Sequence, residues 1–175
     1  ITYYRLKQTD HNGEVHYSHI INVKNNVVQH AQLTPNPAID ELTVETIVNT
    51  DVVKAWDFFT LPEHVMQWNF AAPEWHCPQA ENDLQVGGKF NYRMAAKDGS
   101  FAFDFFGVYD VVDMHRYIKY TMGDNRTVEI TFSAEGDSTK VTEVFEAETE
   151  NPLDMQQMGW QLILNNYKAH AENGL

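Results

Sequence analysis

Few side chains in this sequence stand where chemistry could use them, and the most distinctive is Glu143. Within the strand-like run Thr139–Ala147 it shares parity with Val141 and Phe145, so alternation turns its carboxyl towards the apolar side. An inward carboxyl needs a partner or a raised pKa; a bulge or an edge position would instead expose it. Tyr92 and Tyr120 could present hydroxyls at the mouth of a cavity, although a satisfied core tyrosine is the commoner case. In Glu74-Trp75-His76-Cys77-Pro78 the Cys-His pair suggests a nucleophile, and His64 with His76 and Cys77 suggests zinc. Sequence neighbours rarely aim side chains at one point, and the third ligand has no motif spacing. His11, His16, His19 and His30 gather near the N-terminus, but His16 and His19 project from opposite faces of a strand. There is no Gly-rich phosphate loop, His-Glu-x-x-His helix or Gly-x-Ser-x-Gly elbow. No metal, cofactor or catalytic residue is therefore expected.

The elements that must position these groups are organised around Asn151–Asn173. Trp160, Ile163, Leu164 and Tyr167 recur as one helical stripe, with Leu153 a heptad earlier. Pro152 suits the first turn, and Asn151 and Asp154 suit capping positions. Such a helix needs a broad apolar surface to lie on. Glu41–Asn49 reads as a strand, followed by a helix from Asp51 with the stripe Val52, Ala55, Trp56 and Phe59. A short helix runs from Pro62 to Trp68, and Asn69–Gly88 reads as a long loop. Period two then takes over: Phe90–Met94, Phe101–Val112, Tyr117–Met122, Arg126–Ser133 and Thr139–Ala147 form a meander, with Gly107 marking a bulge or bend. The order predicts an α+β fold, a curved antiparallel β-sheet closed by a long C-terminal α-helix. A gap between sheet and helix is where a small ligand could sit.

Residues 1–40 read as an appendage: two strands, Ile1–Gln8 and Glu14–Val23, joined at Asn12-Gly13, then a third at Val27–Leu33 and a Pro35/Pro37 linker. Residues 41–173 form the main domain. The net charge of −13 lies wholly outside the appendage, which carries three basic and three acidic side chains against nine and twenty-two in the rest. Such a field repels phosphate backbones and anionic lipid heads, so neither nucleic acid nor a membrane is an expected partner. The one cysteine suits a reducing, cytoplasmic setting. No signal-peptide pattern is visible, and the first residue is Ile1 rather than methionine, which leaves room for upstream residues.

The runs Val44–Asn49, Val53-Lys54-Ala55-Trp56, Leu61-Pro62-Glu63-His64 and Gln67-Trp68 resemble the opening of the START-like, SRPBCC superfamily. Trp75, Asp83-Leu84-Gln85-Val86-Gly87-Gly88-Lys89-Phe90, Asp98-Gly99, Gly107 and Gly159-Trp160 are similar to its branch named after the activator of the heat-shock protein 90 ATPase, C-terminal domain. The likeness runs from Leu42 to His170 and implies a helix-grip, birch-pollen-allergen-like fold with a cavity. Relatives in the wider superfamily bind lipids, hormones or polyketides, and some are cyclases or hydroxylase components. The eukaryotic co-chaperone uses a further N-terminal domain with an Asn/Trp/His-rich motif, which residues 1–40 lack.

Alternation then turns Phe90, Tyr92, Met94, Phe103, Phe105 and Tyr109 towards Trp160 and Leu164, with Trp68 and Trp75 at the rim and Tyr120 and Glu143 as polar groups. Taken singly each aromatic is core; together some are expected to line a void. The favoured expectation is binding of a small apolar molecule. A chaperone-associated interaction module comes second, and a cyclase- or hydrolase-like enzyme using Glu143 or His76 third.

Overall fold

The computed structural model describes residues 2–4, 7–9, 15–17, 21–23 and 40–173. The chain divides into two compact units, Ile1–Pro37 and Ala38–Leu175. In the first, β1 (Thr2–Tyr4) pairs antiparallel with β4 (Ile21–Val23), and β2 (Lys7–Thr9) with β3 (Val15–Tyr17). The expected turn at Asn12-Gly13, third strand at Val27–Leu33 and proline linker lie outside the described residues.

The second unit is a seven-stranded antiparallel sheet in the order β5-β11-β10-β9-β8-β7-β6. Its strands are β5 (Glu41–Val48), β6 (Trp75–Asn82), β7 (Lys89–Ala96), β8 (Ala102–Asp113), β9 (Tyr117–Met122), β10 (Thr127–Glu135) and β11 (Ser138–Glu146). Between β5 and β6 come α1 (Val52–Thr60) and α2 (Pro62–Trp68), and α3 (Leu153–Asn173) closes the chain. The architecture is the curved antiparallel sheet closed by a long helix that the order of elements predicted, the helix grip that the resemblance implied.

The helices begin and end for local reasons. The Asp51 carboxylate accepts the amides of Val53 and Lys54 at 3.0 and 3.1 Å, a side-chain cap that holds its pKa down. Leu61 leaves helical geometry and Pro62 starts α2, where its missing N–H is no loss. At α3 the expected caps are replaced. The Asn151 side chain donates to Glu148, and the buried Gln156 instead ties down the entering loop. Its Nε2 donates to the carbonyls of Glu148 and Asn151, and its Oε1 accepts the Glu148 amide. Leu153 is exposed, so the buried stripe runs through Gln156, Leu164, Tyr167 and Ala171, with Trp160 and Ile163 partly covered.

A second face of α3 seals the sheet. β5 is an edge strand whose outward groups would otherwise template further pairing. Gln157 donates to the Thr43 carbonyl, and Gln161 donates to and accepts from the Glu45 backbone. Lys168 reaches the Ile47 carbonyl, and Glu172 takes the Asn49 amide. Alternate residues from Thr43 to Asn49 thus meet side chains spread along the helix from Gln157 to Glu172.

Two readings of the sequence change. The segment expected as one loop contains β6, whose Pro78 is tolerated because β6 is the other edge and is bulged between His76 and Gln79. Gly107 is paired regularly with Phe90 and Met122, and the bulge falls at Asp110 instead. Gly107 is needed for space: a Cβ there would stand 2.8 Å from the Phe90 ring and 2.6 Å from the Thr121 carbonyl oxygen.

Candidate functional site

Pleating decides what faces the helices. The register pairs Tyr92 with Phe105, Met94 with Phe103, and Tyr109 with Tyr120, so these side chains share the concave face. On the next strands Ile130 pairs with Ile118 and with Glu143, and Glu143 pairs with Val44. The concave face and the helices line a cavity of about 280 Å³.

Its walls are mainly aromatic. Phe90, Tyr92, Met94, Phe103, Phe105 and Tyr109 come from β7 and β8, Tyr120 from β9, and Trp68 and Trp160 from the helices. The Phe90 ring centroid lies 4.8 Å from that of Tyr120, edge on. Trp160 stacks on Phe145 at 4.1 Å and 10°, and meets Phe105 edge on. The Trp68 indole N–H donates to the Phe58 carbonyl, which fixes the ring.

Two expected lining residues lie elsewhere. Leu164 is fully buried between α3 and the sheet and does not reach the cavity. Trp75, on β6, packs edge on against Phe101 and Phe103 outside it. Sequence reasoning missed Phe59, Thr60, Asn69, Ile118, Arg126, Ile130 and Ile163, which complete the lining. Ile118, Ile130 and Arg126 had the right parity on their expected strands, although a charged Arg126 was no candidate for an apolar wall; Asn69 gave no periodic signal.

The polar groups of the wall divide into committed and free. Tyr109 donates to Asn82 at 2.8 Å, and Asn82 donates to the Thr60 carbonyl at 2.6 Å. This connection is braced by the Asp83–Gly88 turn, where Gly87, at φ 80°, donates to the Tyr109 carbonyl and the Tyr109 amide donates to Gly88. Arg126 is held by Asp124, which its Nε and Nη2 both reach at 2.8 Å, and by the Glu146 carbonyl. Burial raises the pKa of Tyr109 to about 12 and those of Tyr92 and Tyr120 well above the usual range, so these phenols stay neutral.

Glu143 is different. It is 6% exposed and lines the cavity, onto which its carboxyl opens, and among the described residues no hydrogen-bond donor or cation reaches that carboxyl. Its rung neighbours Val44 and Ile130 are buried aliphatics. Desolvation pushes its pKa up to about 8. The bulge or edge placement that would have exposed it does not occur, because β11 is an interior strand paired without interruption on both sides.

The Cys-His segment behaves as structure. Cys77 is buried, its thiol is pushed up to about 11, and it donates to the Gln79 carbonyl. His64 meets His170 rather than His76, with Nδ1 and Nε2 3.0 Å apart, a contact between α2 and α3 that a sequence separation of 106 concealed. Among the described residues no three His, Cys, Asp or Glu side chains converge as metal ligands, and no helix is long and apolar enough to cross a membrane.

No curated protein matches the chain. Solved structures do. An AHSA1-like protein from Aeromonas hydrophila is 36% identical with a TM-score of 0.74, the match covering 77% of this chain and 94% of that one. Chr148 from Cytophaga hutchinsonii is 49% identical with a TM-score of 0.67, covering 77% and 93%. NE0264 from Nitrosomonas europaea, at 18% identity and a TM-score of 0.67 over 78% and 97%, shares the fold. Residues 49–172, which carry α1, α2, all the strands of the cavity and α3, match the family described as Activator of Hsp90 ATPase homolog 1-like protein, and the chain belongs to that family.

Proposed function

We propose that the protein binds a small, largely apolar molecule between the concave face of the sheet and α3. The observation that carries this reading is the cavity itself, about 280 Å³ with aromatic walls and the largely buried Glu143 carboxyl opening onto it. Apolar enclosure with a few polar groups to orient a ligand is what small-molecule sites have in common. A packed core would have closed such a space, since lost contacts along a void weaken packing.

The test is a hydrophobic fluorophore such as ANS added to the native protein, read by its own emission and by tryptophan quenching. Saturable binding is expected, and Trp160→Phe should reduce the tryptophan change. Trp160→Ala should cost less than the roughly 3–5 kcal/mol of a fully packed site. Absence of probe binding together with the full truncation penalty would remove the proposal.

A second reading, a chaperone-associated interaction module, is favoured by one feature: the convex side of β8 exposes Phe106, Val108 and Val111. It predicts that Phe106→Ser abolishes stimulation of a partner chaperone's ATPase while leaving probe binding intact. Unchanged stimulation in that variant would remove this second reading.

A further inference from the structure

Building on the reading of the cavity as a ligand site, we propose that its occupant is a lipophilic amine, with the ammonium group paired to the Glu143 carboxylate and the apolar body against the aromatic walls. Four observations converge on that chemistry. Of the ionisable groups in the wall, Glu143 opens onto the cavity with no hydrogen-bond or charge partner among the described residues, whereas Arg126 is already committed to Asp124 and Glu146. A buried acid between Val44 and Ile130 gains most from a ligand that brings its own positive charge. Tyr120, Phe90 and Trp160 line the same space, and aromatic rings attract a cation. Finally, the excess of acidic side chains that gives −13 draws cations towards the domain and repels carboxylate ligands.

The groups facing Glu143 do not compete with such a ligand. Tyr120 from β9 and Tyr167 from α3 are the titratable neighbours that feel its charge, and both stay neutral. Tyr167 is further engaged in donating to the Ala55 carbonyl at 2.8 Å. The cavity is close to the lower end of the roughly 300–1,000 Å³ typical of drug-sized sites, so a compact body of one or two rings suits it. Without a cation, burial keeps the Glu143 proton in place at neutral pH. An arriving ammonium makes ionisation favourable, the carboxyl releases its proton to solvent, and the ammonium keeps all of its own.

Three probes of one shape separate the possibilities: naphthylmethylamine, naphthylmethanol and naphthoate, titrated by calorimetry at neutral pH in two buffers of different ionisation enthalpy. The amine is expected to bind roughly tenfold or more tighter than the alcohol. It should also release about one proton, a release that fades as pH passes about 8. Glu143→Gln, nearly isosteric, should lose the amine preference and the proton release while keeping its affinity for the alcohol. If the alcohol binds the wild type as tightly as the amine, or no proton is released, the amine assignment fails and the cavity reading survives. If naphthoate binds best, the assignment fails in favour of an anion held by Arg126. If none of the three binds, the cavity reading fails and this inference with it.

Discussion

Glu143 shows how a single side chain can be held in a state its type does not prefer. Its carboxyl has the pKa of an ordinary acid when unfolded and about 8 when folded, because burial penalises the charged form. The unfolded chain therefore gives up this proton as pH rises through about 4.5, while the folded protein keeps it until about 8. Folding loses stability across that window and is level above it, by on the order of 5 kcal/mol in all. Glu143→Gln should accordingly be near neutral at acid pH and increasingly stabilising up to about pH 8. Urea titrations at several pH values would show this; a variant equally displaced at every pH would contradict it. A buried acid that costs stability in this way is consistent with the ligand role proposed for Glu143.

At the scale of elements, α3 has two tasks on two faces. One face supplies Trp160 and Ile163 to the cavity and Leu164, Tyr167 and Ala171 to the core. The other covers the β5 edge with Gln157, Gln161, Lys168 and Glu172. Gln161→Ala removes two hydrogen bonds to Glu45 and should cost about 1–2 kcal/mol. Combined with Gln157→Ala it should also raise edge-to-edge association in light scattering; a double variant as soluble as the wild type would show the edge to be harmless. The α2–α3 contact adds a pH dependence of opposite sign. Burial and the neighbouring His64 lower the pKa of His170, so the unfolded state takes up its proton first as pH falls below about 6.5. Stability should be complete above that value and decline below it, and His170→Gln should flatten the decline. An unchanged acid limb in that variant would count against the pair.

For the molecule as a whole, the two compact units raise the question of independence. The second contains every strand and helix that forms the cavity. We therefore expect residues 38–175 expressed alone to melt in one cooperative transition and to bind ANS as the full chain does. A fragment that is molten, with its near-ultraviolet circular dichroism lost, would show that the first unit is needed for folding.

Much of this was legible in the residues because it depends on local period. Alternation along Phe90–Met94 and Thr139–Ala147, and the helical stripe from Trp160 to Tyr167, are properties of neighbouring side chains, and they sufficed for the fold class and for most of the cavity's aromatic walls. β6 escaped because an edge strand carrying Pro78 and a bulge has no clean period. The environment of Glu143 escaped in part: parity gave its direction, but only the uninterrupted pairing of β11 on both sides decided that it is largely buried on the cavity side. Leu164 shows the converse, since belonging to the right face does not say whether a side chain meets packing or open space; Trp75, expected at the cavity rim in a loop, instead begins the edge strand β6. His64 beside His170, and Gln161 on Glu45, join residues 106 and 116 apart. Period governs which face a side chain is on; which atoms lie opposite that face follows from the crossing of α3 over the curved sheet, and distant segments decide it together.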